Sequence, residues 1–294
     1  MNNNDLSTID LHTHTNLSDG TDTPDEIIRE FESRGLKVCA ITDHDHILKS
    51  DLYESLKKST GIKLINGIEA STVNWFNEQK YSIHVLGYGV KDLLSIDEFV
   101  KTQQLYRKQR NQKILEKIRK NIPAGGKIPE YVGSWDMEKT SRIHFAKLLM
   151  DLNMADSIKI CFQKYLTRGR PFYIEKQSFS FEQTIKIMKE SFFLVCMAHP
   201  FISFPKSLTH EKKVLTKTME NFCSVGLDGF EVFYPEHKMH EEKFLHQFCL
   251  DNKLVYTAGS DYHGKNKPYV KIGQISQRLS REEQLKIENF MCQI

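Results

Sequence analysis

The sequence predicts an α/β protein, a distorted (β/α)7-type barrel with an inserted helical subdomain. Short apolar segments of strand length alternate with longer helical segments along most of the chain. Strands separated by about ten or more helical residues pair in parallel through crossover connections, and about seven of them tend to close into a barrel. Histidines and carboxylates follow several of these strands, at the end of a barrel that carries its active site.

The first elements establish this alternation. Residues 8–13 are predicted to form a strand, and Thr23 is predicted to cap a helix that has Pro24 in its first position and ends at Gly35. The apolar run 38–42 is short enough for a buried parallel strand. A helix near 51–60 follows, and then strands at 62–66 and 81–86.

The middle of the chain departs from the alternation. A polar helix rich in Lys, Arg and Gln is predicted near 97–120, and residues 140–167 are predicted to be mainly helical. The alternation then resumes with a helix at 181–190, a strand at 192–197, a helix at 210–225, a strand at 228–233, a helix at 238–252 and a strand at 254–258. We therefore expect a barrel made of residues 1–97 and 176–294, and a helical insertion at 98–175 that caps the substrate.

Composition excludes other classes of protein. The 294 residues are 39% hydrophobic and 27% charged, without a biased tract, which argues against disorder. The net charge of +3 is small, so global charge does not predict a nucleic-acid or membrane surface protein. Because no apolar run is long enough for a membrane span and the Asn-rich start lacks signal-peptide features, we expect a cytoplasmic protein without a membrane partner. The six cysteines lack paired spacing and are predicted to be buried small hydrophobes.

Pairs of candidate ligands alternate at both ends of the chain. His12 and His14 alternate along an extended segment, so both side chains point to one face and can share a metal ion. Asp261 and His263 repeat this spacing. Glu69 offers two oxygens and can bridge two ions, which a single imidazole does not do. The full candidate set is His12, His14, Asp19, His44, Glu69, His84, His199, Asp261 and His263.

Each candidate alone has a simpler explanation. An isolated histidine such as His84 is more often a surface or hydrogen-bonded residue than a ligand, and Asp19 in a Ser-Asp-Gly turn caps its own backbone. Their joint occurrence after successive strands favours ligation. Nitrogen and oxygen ligands that converge in this way are typical of a multinuclear hydrolytic metal site.

These motifs resemble the polymerase-and-histidinol-phosphatase (PHP) superfamily over nearly the whole chain. They are Asp10-Leu11-His12-Thr13-His14, Ser18-Asp19-Gly20, Ile41-Thr42-Asp43-His44-Asp45, Gly67-Ile68-Glu69, His84-Val85-Leu86-Gly87-Tyr88, Ala198-His199-Pro200 and Gly259-Ser260-Asp261-Tyr262-His263-Gly264. The resemblance is nearest to the bacterial branch of 3′,5′-nucleoside bisphosphate phosphatases and the related 5′-3′ exoribonuclease. The insertion segments Ser141–Ala146 and Tyr165–Pro171, together with Asp228–His237, are similar to that branch.

Two segments depart from the pattern of that branch. The branch usually has Gly-Arg-Pro-His where this chain has Ser141-Arg142-Ile143-His144, and a small residue where His46 stands. Both departures leave the nine ligand positions filled and bear on substrate preference.

The resemblance implies three divalent ions, of manganese, iron or zinc, since the ligands are imidazoles and carboxylates without thiolates. It assigns one ion to His12, His14, Glu69 and Asp261, a second to Glu69, His84 and His199, and a third to Asp19, His44 and His263. The implied activity is hydrolysis of a nucleotide phosphate monoester by a metal-bound hydroxide, with nucleoside 3′,5′-bisphosphates as the expected substrates.

Catalytic and substrate-binding roles are predicted for residues outside the ligand set. Arg142 is expected to grip a phosphate through two hydrogen bonds, and His144 to be a second contact or proton donor. Arg168 and Arg170 are candidates for a second phosphate, and His237 for the mouth of the site. In each case a solvated surface residue is the simpler alternative.

Other functions remain open at this stage. The basic residues of the helix at 101–120 form a solvated face or a track for an RNA backbone, and the track predicts a 5′-3′ exoribonuclease that trims short RNA. Histidinol phosphate is a less favoured substrate, because the insertion resembles the nucleotide branch. A non-enzymatic barrel predicts lost ligands, and none is lost. No obligate protein partner is expected.

Overall fold

The computed structural model describes residues 7–122, 127–275 and 279–294, which fall into two compact units. The first unit, the barrel unit, comprises the described residues of Met1–Val100 and Phe179–Ile294. The second, the helical unit, comprises those of Lys101–Ser178. The helical unit spans residues 101–178, whereas the insertion was predicted at 98–175.

Seven strands of the barrel unit form one sheet in which each strand neighbours the next in the chain. They are β1 (Ile9–Asp10), β2 (Val38–Ile41), β3 (Lys63–Phe76), β4 (Gln79–Val90), β5 (Phe192–Met197), β6 (Gly229–Phe233) and β7 (Val255–Ala258). The two edges of the sheet meet, because Leu11 donates its backbone N–H to Ala258 at 3.1 Å and Asp261 donates to His12 at 2.8 Å. The sheet is therefore a nearly closed barrel, and the predicted fold class is confirmed.

The prediction of parallel pairing throughout is wrong at one place in the barrel. Strand β4 is antiparallel to both β3 and β5, while the other neighbours are parallel. Strands β3 and β4 extend far beyond the predicted 62–66 and 81–86 and meet in a hairpin at Asn77 and Glu78. Both turn residues have positive φ, 47° and 61°, as the two-residue turn that matches strand twist requires. A two-residue turn has no room for a crossover helix.

Helices connect the remaining strands. The barrel unit contains α1 (Pro24–Ser33), α2 (Ser50–Ser59), the start of α3 (Leu93–Lys120), α6 (Phe181–Ser191), α7 (Pro200–Ser203), α8 (Lys206–Thr209), α9 (Lys212–Val225), α10 (Met239–Asp251) and α11 (Arg281–Met291). The predicted start of α1 is confirmed: Thr23 and Glu26 form a capping box, and Pro24 occupies the first position. Across the described part of the chain, no helix is both long and apolar enough to span a bilayer.

The barrel core fixes the strands that position the candidate ligands. Strands β3 to β6 contribute fully buried side chains such as Ile68, Tyr88, Val195 and Phe230. Burial of a side chain of this size stabilises the fold by roughly 1.5–3 kcal/mol. Close packing of these residues leaves the attached backbone little freedom to shift.

The helical unit has a core of its own. It contains the rest of α3, α4 (Arg142–Asp151) and α5 (Ile158–Cys161), with a 3-10 turn at Glu130–Ser134 and a π turn at Phe162–Leu166. Ile118, Phe145 and Leu148 are fully buried in this core. The predicted helical stretch 140–167 is interrupted after Asp151, because Asn153 takes a left-handed conformation with φ 55° and Ser157 starts a new helix as its cap.

Candidate metal centre

The nine candidate ligands converge at one end of the barrel. Three groups have ligand atoms that all lie within 4.8 Å of one another: His14, Asp19, His44 and His263; His12, His14, Glu69 and Asp261; and His44, Glu69 and His84. His199 joins them through its Nε2, which lies 3.0 Å from Glu69 Oε1. Most of these side chains are buried, whereas His84 keeps 26% of its side-chain surface exposed. The motifs that are far apart in sequence therefore form a single cluster.

Glu69 lies at the centre of this cluster. Its Oε1 is 2.9 Å from His84 Nδ1, and its Oε2 is 2.8 Å from His44 Nδ1 and 3.2 Å from His14 Nε2. The expectation that Glu69 follows the end of a strand at 62–66 is wrong, since it lies inside β3. His84 lies inside β4, within the range 81–86 predicted for that strand. The long hairpin continues both strands past the barrel end, so mid-strand positions reach the level of the loop residues. One carboxylate is thus shared by histidines from several strands.

Asp19 forms the second acidic point of the cluster. Its Oδ1 lies 3.2 Å from His263 Nε2 and 3.9 Å from both His14 Nδ1 and His44 Nε2. The backbone of this turn is held in place because Asn266 donates its side-chain N–H to Asp19 O at 2.6 Å. Asp19 therefore points a carboxylate oxygen at imidazoles that come from three separate loops.

Hydrogen bonding leaves several atoms of the cluster unsatisfied. Four buried atoms have no hydrogen-bond partner among the described residues: His14 Nδ1, Asp19 Oδ1, His44 Nδ1 and Glu69 Oε2. His44 Nδ1 and Glu69 Oε2 lie 2.8 Å apart without the geometry of a hydrogen bond. Buried polar atoms left unpaired are costly, and divalent cations satisfy converging lone pairs of this kind. The residues fit divalent metal ions, and the imidazole and carboxylate set suits borderline metals.

The charges within the cluster shift the pKa values of its members strongly. Burial alone raises the pKa of Glu69, but His44, His84 and His12 hold it well below its usual value. Burial lowers the pKa of His14, but the nearby carboxylates of Asp261 and Glu69 raise it to about 9. His84 is dominated by burial, which lowers its pKa to about 4. The neighbouring imidazoles therefore favour the ionised form of Glu69, which is the form that metal ligation requires.

Not every buried carboxylate near the cluster is directed into it. Asp10 accepts hydrogen bonds from the backbone of His12, Ser260 and Gly273. Asp43 accepts from the backbone N–H of Thr15 at 2.8 Å and from its hydroxyl at 2.6 Å. Carboxylates saturated in this way fix the loops and have little capacity left for a metal.

Glu231 supports the cluster from β6, a role that was not predicted from the sequence. Its Oε1 lies 2.9 Å from His12 Nδ1, and its Oε2 accepts the backbone N–H of His199 at 2.9 Å. A carboxylate can only accept here, so His12 carries its proton on Nδ1 and presents the Nε2 lone pair to the cluster. Gly259 allows this contact, because a Cβ there would lie 2.8 Å from Glu231 Oε1 and 2.3 Å from His12 Cβ. The sequence signal for this role was the position of Glu231, a single charged residue inside the otherwise apolar run Phe230–Phe233.

Asp261 has supporting partners that the sequence did not indicate either. Tyr234 donates its hydroxyl to Asp261 Oδ2 at 2.9 Å, and Lys267 Nζ forms an ion pair with the same oxygen. Burial would raise the pKa of Asp261, but Lys267, His263 and His12 keep it well below its usual value. These contacts leave Asp261 Oδ1 facing the imidazoles, 3.2 Å from His14 Nε2.

Backbone strain also concentrates here. Asp45, His199 and Asp261 have positive φ values of 50°, 27° and 56°. Left-handed conformations of this kind cost about 1–3 kcal/mol and persist where the surroundings enforce them. His199 and Asp261 are both candidate ligands, so the fold accepts strain in order to direct their side chains.

The predicted substrate contacts fall in both units. In the helical unit, Arg142 begins α4 with its guanidinium 5.7 Å from the Phe162 ring centre, and His144 Nδ1 accepts the backbone N–H of Ser141 at 3.1 Å. Arg168 is exposed and paired with Glu175 at 3.1 Å, and Arg170 is exposed. In the barrel unit, His237 is buried with Nδ1 2.9 Å from Val232 O.

The basic residues of α3 are partly engaged within the helical unit. Lys108 pairs with Glu138 at 3.0 Å, Lys120 pairs with Glu116 at 2.6 Å, and Arg107 is buried. Lys108 and Lys120 remain partly exposed in these ion pairs, so only part of the basic charge of α3 is taken up within the unit.

Comparison with known proteins identifies the family. The model of the PHP domain matches residues 10–178. The chain belongs to the PHP domain family. His199, Asp261 and His263 lie beyond the matched range, yet they converge on the same cluster as the ligands within it. The family resemblance inferred from the motifs is confirmed.

Relatives of this PHP protein match it along most of its length. The 5′-3′ exoribonuclease Rnm of Escherichia coli (strain K12) is 30% identical over 270 residues, which cover 90% of this chain and 88% of the relative. The 3′,5′-nucleoside bisphosphate phosphatase of Chromobacterium violaceum is 28% identical and covers 88% of each chain. A solved structure of an amidohydrolase from Chromobacterium violaceum, with bound sulfate and no metal, has a TM-score of 0.76 at 25% identity and covers 92% of this chain and 91% of that one.

Proposed function

We propose that this PHP-family protein is a metal-dependent phosphoesterase that hydrolyses phosphate monoesters of nucleotides, with nucleoside 3′,5′-bisphosphates as its main substrates. The central observation is the position of Glu69, whose two oxygens face different histidines of one buried cluster: His84 and His199 at Oε1, and His14 and His44 at Oε2. A carboxylate in this position can bridge cations, and the surrounding imidazoles complete their coordination. The names of two relatives, a bisphosphate phosphatase and an exoribonuclease, support this class of substrate.

We propose three divalent ions of manganese, iron or zinc. The candidate groups are His12, His14, Glu69 and Asp261; Glu69, His84 and His199; and Asp19, His44 and His263. When bound, such ions lower the pKa of a coordinated water and neutralise phosphoryl oxygens. The protein contributes orientation: Glu231 fixes the His12 ring, and Tyr234 holds the Asp261 carboxylate.

Phosphate recognition is proposed for the first turn of α4. Arg142 and His144 both lie in that turn, which contains no acidic residue. The amino end of a helix carries positive potential, so two basic side chains there favour an anionic ligand. Arg142, with its planar guanidinium, is the proposed phosphate contact, and His144 is the proposed second contact or proton donor. Arg168, Arg170 and His237 remain weaker candidates.

A 5′-3′ exoribonuclease is the second candidate function, because the 30% identical relative bears that name and α3 is rich in basic residues. The test is phosphate and nucleotide release by metal-reconstituted protein from adenosine 3′,5′-bisphosphate, AMP, histidinol phosphate and a 5′-phosphorylated RNA oligomer. Preference for the bisphosphate supports the first candidate, and production of mononucleotides from the oligomer supports the second.

The matched control for this test is Glu69→Gln, which keeps the side-chain volume and removes the central charge. It is expected to lose both bound metal and turnover. No release from any of the four substrates by the reconstituted wild-type protein would contradict both candidate functions. Glu69→Gln with unchanged metal content would contradict the proposed ligand set.

A further inference from the structure

Lys267 brings a positive charge to the edge of the metal cluster. Its Nζ forms an ion pair with Asp261 Oδ2, while Asp261 Oδ1 lies 3.2 Å from His14 Nε2 and 3.3 Å from His263 Nδ1. The Lys267 side chain is 22% exposed, so a side chain that contacts a buried candidate ligand also reaches the solvent. The Lys267 ammonium is therefore placed to attract an anion that binds at the cluster.

The backbone that carries Lys267 is held in place by the neighbouring turn. Lys267 directly follows a 3-10 turn at Gly264–Asn266. Asn266 donates to Asp19 O at 2.6 Å, and the backbone N–H of Lys265 donates to Thr21 Oγ1 at 3.0 Å. Gly264 has φ 61°, and a Cβ there would lie 2.0 Å from Thr21 Oγ1. The ammonium is therefore positioned by the fold and loses less entropy on binding an anion than a free surface lysine does.

Support of Asp261 does not by itself require this lysine. Tyr234 already donates a hydrogen bond of 2.9 Å to the same oxygen, and it is buried with its ring 5.3 Å from His199. A lysine adds a like charge beside a site that fits divalent cations, and like charges oppose binding. A cation kept at such a position has a favourable partner when a phosphoryl group, which carries the opposite charge, occupies the site.

We infer that Lys267 is a substrate-binding residue that contacts the phosphoryl group at the metal cluster. This inference rests on the proposed phosphoesterase function. A phosphate monoester carries nearly two negative charges near neutral pH, and a diester carries one. The lysine therefore favours terminal phosphates over internal phosphodiester bonds.

The test is calorimetric titration of inorganic phosphate into metal-loaded wild-type protein, Lys267→Met and Lys265→Met, with the metal content of each sample measured. Lys265 lies two residues away, is exposed and provides the matched control for loss of one charge. Lys267→Met is expected to retain its metal and to bind phosphate about 10- to 100-fold more weakly, as loss of a charged hydrogen bond implies. Lys265→Met is expected to behave as wild type, and Lys267→Arg to restore most of the affinity.

Three outcomes would overturn the inference. Unchanged phosphate affinity in Lys267→Met removes any contact with the anion. Metal loss in both Lys267→Met and Lys267→Gln would make the lysine a positioning residue for Asp261 instead. If Lys267→Met does not fold, Lys267→Gln replaces it in the phosphate titration. An equal effect of Lys265→Met would reduce the role to general surface charge. If the wild type hydrolyses none of the four esters, the proposed function fails, while phosphate binding still reports on Lys267.

Discussion

Replacing Glu231 by Gln tests how the barrel orients its candidate ligands. The Glu231 carboxylate is fully buried and accepts two hydrogen bonds, one from His12 Nδ1 and one from the backbone N–H of His199. Gln has nearly the same shape but only one acceptor oxygen, and its amide N–H₂ would face a second donor. When His12 uses Nε2 as a metal ligand and carries its proton on Nδ1, one of the two hydrogen bonds must therefore be lost.

The size of the effect follows from these contacts. Loss of the partner that orients a metal-binding histidine typically weakens metal affinity about 10- to 100-fold. A buried donor left unpaired also costs roughly 1–3 kcal/mol of folding free energy. A typical domain is stable by about 5–15 kcal/mol, so Glu231→Gln is expected to fold.

The assay is Mn²⁺ titration by calorimetry for wild type, Glu231→Gln and Glu220→Gln, together with urea unfolding of the metal-free proteins. Glu220 is an exposed residue of α9, so its variant controls for loss of one negative charge. Equal Mn²⁺ affinity in wild type and Glu231→Gln would refute the reasoning, whatever the change in stability. A similar loss in Glu220→Gln would assign the effect to net charge.

Two further predictions concern the hairpin turn and the cysteines. Glu78 has φ 61°, and a residue with a Cβ in this left-handed conformation costs roughly 1–2 kcal/mol. Glu78→Gly is therefore expected to raise the free energy of unfolding by about 1 kcal/mol, as measured by urea unfolding. An equal gain in Glu78→Ala would contradict this prediction. Burial, together with Glu220 and Asp228, raises the pKa of Cys223 to about 11, and only the thiolate reacts with an alkylating reagent. In a Cys292→Ser background, which removes the exposed thiol, the alkylation rate of Cys223 is therefore expected to rise about 100-fold from pH 8 to pH 10. Peptide mass spectrometry measures this rate, and a rate that levels off below pH 9 would contradict the prediction.

The sequence predicted the fold class and the candidate ligands because both depend on local patterns. Alternating spacing, as in His12 and His14, places two side chains on one face wherever the segment is extended. Apolar runs of strand length identified β2, β5, β6 and β7 within one or two residues of their observed bounds. These patterns are properties of a few neighbouring residues, so one sequence is enough to find them.

The hairpin escaped prediction because its turn has no strong local signal. Asn-Gly or Asp-Gly marks a two-residue turn, whereas this chain has Asn77-Glu78 in left-handed conformations. Without that signal, residues 67–76 could not be joined to the strand before them. The missed hairpin also affects the description of the site, because Glu69 lies in the middle of the extended strand β3 and faces the cluster from there.

Which carboxylate becomes a ligand is decided by hydrogen-bond donors that come from distant segments. Asp43, His44 and Asp45 are consecutive, yet only His44 joins the candidate metal groups. Asp43 accepts hydrogen bonds from Thr15, and Asp45 accepts the backbone N–H of Ser71 at 2.7 Å, so their oxygens are occupied. Glu69 Oε2 has no such donor and faces imidazoles instead. A carboxylate that can bind a metal and one that only accepts hydrogen bonds look alike in the sequence, and only the contacts of the folded chain distinguish them. Replacing such a donor is therefore expected to change the site even though the donor is not itself a ligand.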